Sequence, residues 1–115
     1  MWAVIKFDKK QLKLFEVEFK NKFKNECKIY FPKLLNQKIK KNKKFNKELN
    51  LLGDYVFCFH NNFACNNTYN EIKFLKGVKS LLIGHQNSQK DIINFILGCK
   101  RLENKEGYIS QTVYK

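Results

Sequence analysis

Two short stretches of the chain, WAVIKF at 2–7 and DYVFCF at 54–59, alternate between apolar and less apolar positions and are rich in aromatic and β-branched residues. That pattern predicts strands. In the second stretch Tyr55, Phe57 and Phe59 share one face of an extended backbone, and Val56 and Cys58 share the other. A strand that is apolar on both faces belongs in the middle of a sheet. Between these stretches the period changes. Leu12, Phe15, Phe19 and Phe23 recur at spacings of three and four, with Leu14 and Val17 alongside. This is the stripe of an amphipathic helix whose far face is lysine-rich. Asp8 predicts its cap, with the amide of Gln11 at the third helical position, and the helix is expected to run to about Lys24.

The remaining segments follow the same logic. CKIYFP (27–32) predicts a second strand closed by Pro32, and VKSLLI (78–83) a fourth. Thr68-Tyr69-Asn70-Glu71 has the form of a capping box. It predicts a short helix through Ile72, Phe74 and Leu75, stopped by Gly77. Ser88-Gln89-Lys90-Asp91 predicts the cap of a last helix with Ile92, Ile93, Ile96, Leu97 and Leu102 as a wide apolar stripe. Lys100 and Arg101 stand near its C-terminus, where the helix dipole favours cations. Residues 33–50 are lysine-rich, alternate weakly and lack a clean cap, which predicts a basic loop or a loose hairpin. After Gly107 the pattern lapses. The order β-α-β-β-α-β-α predicts an α+β fold: a four-stranded antiparallel sheet in split β-α-β (ferredoxin-like) order, with two helices on one face and DYVFCF central. The additional C-terminal helix is left to pack on an edge or partly over the other face. Residues 1–105 are expected to form one domain, and 106–115 a tail or the start of a linker to a further domain.

Composition narrows the chemistry. The net charge is +13, and fifteen lysines against five acids lie in residues 1–50. A basic half points to a polyanionic partner. The same excess of Lys, Asn, Ile and Phe is also what A+T-rich codons produce, and Arg101 is the one arginine, so bidentate base readout has little to work with. Cys27, Cys58, Cys65 and Cys99 lack the tight paired spacing of a zinc site, and no metal or other cofactor is expected. No run of about 18 apolar residues is present, so no membrane partner is expected. MWAVIKFDKK does not have the form of a signal peptide, and a cytoplasmic protein with reduced thiols is expected. Cys58 and His60 lie two apart on a strand and point the same way without facing each other, a poor nucleophile–base pair.

In element order and spacing, the chain resembles the N-terminal domain of the NusG/RfaH family of transcription elongation factors over about residues 2–104. The anchors are Trp2 in WAVIKF, YFPK at the end of strand two, GDYVFCF, FLKGVKSLLIG and the Ile- and Leu-rich last helix. Leu52-Gly53-Asp54 stands where the family often has Phe-Pro before its Gly-Tyr or Asn-Tyr. Of a His-Thr-Thr run before helix two in RfaH, only Thr68 is shared. The resemblance implies a domain that docks on the helical hairpin of the RNA polymerase clamp through a hydrophobic depression. It places Tyr55 and Phe57 there, with Val4 and Ile96 as looser matches and Thr68 as a further contact. Phe59 is expected in the core. Lys9, Lys10 and Lys13 at the start of helix one, and Lys76 before Gly77, are the candidate nucleic-acid contacts, with non-template DNA as the second partner.

Two other classes share the scaffold. An RNA-recognition module has the same element order and stacks bases on third-strand aromatics, but Val4 and Ile5 occupy the centre of strand one and the glycine-aromatic-glycine lead-in is absent. That reading requires Tyr55 and Phe57 to be open to solvent. An acylphosphatase-like hydrolase requires an arginine near strand one, whereas Arg101 lies in the last helix. No paired carboxylates or Ser-His-Asp set appears, so a binding protein is expected and not an enzyme.

Overall fold

The computed structural model describes residues 1–24, 27–40, 43–82 and 84–110, and the side chains of 36–40, 43–48 and 110 are left aside. In chain order the elements are β1 (Trp2–Phe7), α1 (Leu12–Phe23), β2 (Lys28–Tyr30), β3 (Lys33–Lys40), β4 (Lys43–Asn50), β5 (Tyr55–Phe59), α2 (Asn66–Glu71), β6 (Val78–Leu81), α3 (Gln89–Leu102) and β7 (Tyr108–Ser110). Four strands form an antiparallel sheet in the order β2-β5-β1-β6. The DYVFCF strand is therefore internal, as its two apolar faces require. Ile83, at the end of the expected fourth strand, lies outside the described residues.

The sheet separates two apolar layers. On one face Ala3, Ile5 and Phe7 of β1 and Val56 and Cys58 of β5 meet Phe15, Phe19 and Phe23 of α1, Tyr69 of α2 and Ile72 just after it. This is the main core, knit by ring contacts such as Phe19–Phe23 at 4.9 Å and Phe23–Phe63 at 5.4 Å between centroids. Asp8 caps the segment as expected, accepting from Lys10 N–H, but a 3₁₀ turn at Lys9–Gln11 comes before α1 proper. Leu14 and Val17, read alongside the stripe, are exposed. On the other face Val4 and Phe57 meet Ile92 and Ile96 of α3. The last helix thus covers the second face. Its stripe divides, since Ile92, Ile96 and Cys99 are buried while Ile93, Leu97 and Leu102 are exposed.

Several local expectations are corrected. Of the two forms expected for the lysine-rich segment, basic loop or loose hairpin, it takes the hairpin, and a regular one, with β3 pairing with β4 from Lys33↔Asn50 to Lys40↔Lys43. Its strand character comes from continuous backbone pairing, which a lysine-rich sequence with weak alternation does not announce. Past Gly107 the chain adds β7, parallel to β3 with Leu34↔Ile109 in register, and Ile109 is fully buried. α2 begins at Asn66 with Cys65 in the cap position, so Thr68 lies inside the helix. Ser88 occupies the cap of α3 but makes no side-chain bond there. Instead Gln89 accepts from Trp2 N–H at 2.8 Å and donates to the Trp2 carbonyl at 2.6 Å. This satisfies the β1 backbone where β6 has ended. Among the described residues no helix is long and apolar enough to cross a membrane.

Candidate functional site

The register of β1 and β5 places Val4 opposite Phe57 and Lys6 opposite Tyr55. All four lie on the α3 side of the sheet, because side chains alternate along each strand. α3 crosses the middle of that face. It is held at one end by Gln89 on Trp2, and at the other by the Tyr30 hydroxyl, which donates to Glu103 at 2.6 Å, and by Lys100 over the Tyr30 ring at 5.3 Å. Burial together with the Glu103 carboxylate pushes the Tyr30 hydroxyl well above its usual pKa, so it stays a proton donor. A helix so placed covers Phe57, which is 4% exposed, and leaves Tyr55 at its margin, 39% exposed.

Beside α3 this leaves an apolar groove of about 300 Å³ lined by Val4, Leu52, Tyr55, Phe57, Asp91, Ile92 and Phe95. Phe57 and Phe95 stand 5.8 Å apart between ring centroids, and Tyr55 forms the exposed wall. Among the described residues the Tyr55 hydroxyl has no hydrogen-bond partner, so it is free to bond a docked molecule.

Of the residues singled out from sequence, Tyr55, Phe57 and Val4 are brought together in this groove, and Ile96 packs directly behind it. Thr68 is not. It sits on α2, whose Tyr69 packs on the opposite face of the sheet. Phe59 is not in the core either. It is half-buried, edge-on to Trp2 at 5.4 Å with Lys28 above its ring at 5.5 Å. Its strand alternation puts it on the α3 face, opposite Trp2. Leu52 and Phe95 were missed. Leu52 stands in the turn before β5, and Phe95 lies off the apolar stripe of α3, so neither follows a period that marks it. A base-stacking platform on β5 is closed, because α3 covers Phe57.

Lys9, Lys10 and Lys13 lie at the start of α1, and Lys76 joins them. The Asp8 N–H donates to the Gly77 carbonyl at 2.7 Å, and a Cβ on Gly77 would stand 3.1 Å from the Gln11 carbonyl oxygen. Two carboxylates temper this basic end. Lys9 Nζ is 3.4 Å from Asp54, and Glu18 accepts the Lys76 backbone N–H at 2.7 Å. Elsewhere Cys58 is fully buried, and burial raises its thiol pKa. His60 Nδ1 accepts from the Asn62 N–H. Among the described residues no group of three or more His, Cys, Asp or Glu is placed to hold a metal ion. Compared with known proteins, the chain matches no protein-family model and no curated protein.

Proposed function

We propose that this chain is the polymerase-binding domain of a NusG/RfaH-like transcription elongation factor, and that it docks on the helical hairpin of the RNA polymerase clamp. The observation that carries the reading is the apolar groove beside α3, with exposed Tyr55 as one wall and buried Phe57 as its floor. A helical partner inserts apolar side chains into a groove of this kind, and a rigid aromatic at its margin supplies much of the affinity. The strand order adds support. With the β3–β4 hairpin set aside, β2-β5-β1-β6 with α1 and α2 on one face reads as a split β-α-β fold, the scaffold expected of that family.

The mechanism is binding without bond chemistry. A domain that holds the clamp on one side and the opposite wall of the cleft on the other has higher affinity for the closed clamp. By linkage it shifts the population toward the closed, pause-resistant state. The basic end formed by Lys9, Lys10, Lys13 and Lys76 contacts exposed single-stranded DNA weakly and in a salt-dependent way. The test is titration of the isolated clamp hairpin into the chain, paired with a pause-escape assay on stalled polymerase. Saturable binding with shortened pauses is expected. Absence of hairpin binding would sink the reading.

A further inference from the structure

We infer that the crevice between α1 and the base of the β3–β4 hairpin binds a small apolar zwitterion, the chemistry of a free hydrophobic α-amino acid. The inference is independent of the clamp-binding reading and adds a ligand to the domain. The crevice has a volume of about 390 Å³, within the roughly 300–1,000 Å³ of small-molecule sites. Its apolar walls are the partly buried side chains of Leu12 on α1, Phe31 before β3 and Leu49 on β4. Phe7 lies beneath them, edge-to-face with Phe31 at 5.7 Å and itself buried, so it supports the floor without meeting a ligand.

Glu16 gives the crevice its polarity. It stands one helical turn beyond Leu12 on α1 and is half-buried in the same wall. Among the described residues its carboxylate makes no hydrogen bond and no ion pair. An ionised carboxylate can only accept, and an ammonium, which can only donate, is its natural complement. A ligand with that charge alone is opposed by Lys9 and Lys33, which line the same crevice, and by the net charge of +13. A ligand that is only an anion is opposed by Glu16. A zwitterion meets neither objection: ammonium toward Glu16, carboxylate toward Lys9 and Lys33, apolar side chain among Leu12, Phe31 and Leu49. Lys9 is paired with Asp54 at 3.4 Å, but its side chain is mostly exposed, and a surface pair of this kind is weak enough for a ligand carboxylate to share the lysine.

The experiment is titration calorimetry of the full chain, wild type and Glu16→Gln, with free L-phenylalanine, its N-acetyl derivative and its C-terminal amide. The free amino acid is expected to bind wild type saturably. Each derivative lacks one of the two charges and is expected to bind at least roughly tenfold more weakly, the worth of one charge-assisted hydrogen bond. Glu16→Gln is expected to keep the melting transition, since Glu16 has no partner to lose, and to bring the free and N-acetylated forms within roughly twofold of each other. No saturable binding of the free amino acid, or N-acetyl binding as tight as the free form in wild type, overturns the site. A preference for the free amine that survives Glu16→Gln overturns the part given to Glu16. An amide that binds as tightly as the free amino acid overturns the zwitterion and points to an amine, such as a peptide N-terminus.

Discussion

Tyr55 and Phe57 are neighbours on one face of β5, yet truncating them has different consequences. Phe57 is 4% exposed and packs with Val4, Ile92 and Ile96, so its ring holds α3 to the sheet. Removing a buried Phe side chain costs about 3–5 kcal/mol. At roughly 4 °C per kcal/mol for a domain of this size, Phe57→Ala lowers the melting transition by roughly 12–20 °C. Tyr55 is 39% exposed. Its backbone N–H donates to Leu52 and its carbonyl accepts from the Asn50 amide, and both bonds survive truncation. Tyr55→Ala therefore costs about 1 kcal/mol of stability, a shift of only a few degrees. At a docked interface the same ring is worth about 2 kcal/mol or more, a loss of at least roughly tenfold in affinity. Melting curves and clamp-hairpin titrations on the same two preparations separate the effects. The reasoning is refuted if Tyr55→Ala melts as low as Phe57→Ala, or if it binds the hairpin as tightly as the parent chain.

Gly77→Ala is expected to destabilise the domain by about 1–3 kcal/mol in denaturant unfolding. Gly77 adopts φ +87°, and a Cβ would meet Gln11 O at 3.1 Å and Phe15 Cβ at 3.2 Å; a variant as stable as the parent would contradict the close packing of this turn on α1. Tyr69 gives a pH dependence. Burial pushes its hydroxyl up to about 12, and it donates to the Leu82 carbonyl at 2.6 Å. Because the folded value lies above the unfolded one, this contribution is fully present below pH about 10 and is lost as pH rises toward about 12. Tyr69→Phe should flatten that alkaline loss in a pH series of unfolding curves, and an unchanged slope would remove Tyr69 as its source.

The sequence by itself determined the local elements whose burial is periodic. WAVIKF and YVFCF carry the alternation of internal strands. The recurrence of Phe15, Phe19 and Phe23 determined the buried stripe of α1, because side chains at i and i+4 leave a helix on the same face. Part of the site was legible for the same reason: placing Tyr55 and Phe57 on one face requires only the period of a strand. Tertiary structure decided which face α3 covers, and so which of the two rings stays exposed. The stripe of α3 is apolar at Ile93 and Leu97 as well as at Ile92 and Ile96, so composition leaves its contact line open, and the bonds of Gln89 to Trp2 and of Tyr30 to Glu103 settle it. Thr68 was misplaced because a capping box describes local chemistry, while the chain turns into α2 three residues earlier, at Cys65. The β3–β4 hairpin is held by backbone hydrogen bonds between consecutive strands, and its parallel partner β7 is paired to β3 from far along the chain. Backbone N–H and C=O groups are the same at nearly every residue, so such pairings leave little trace in the order of side chains.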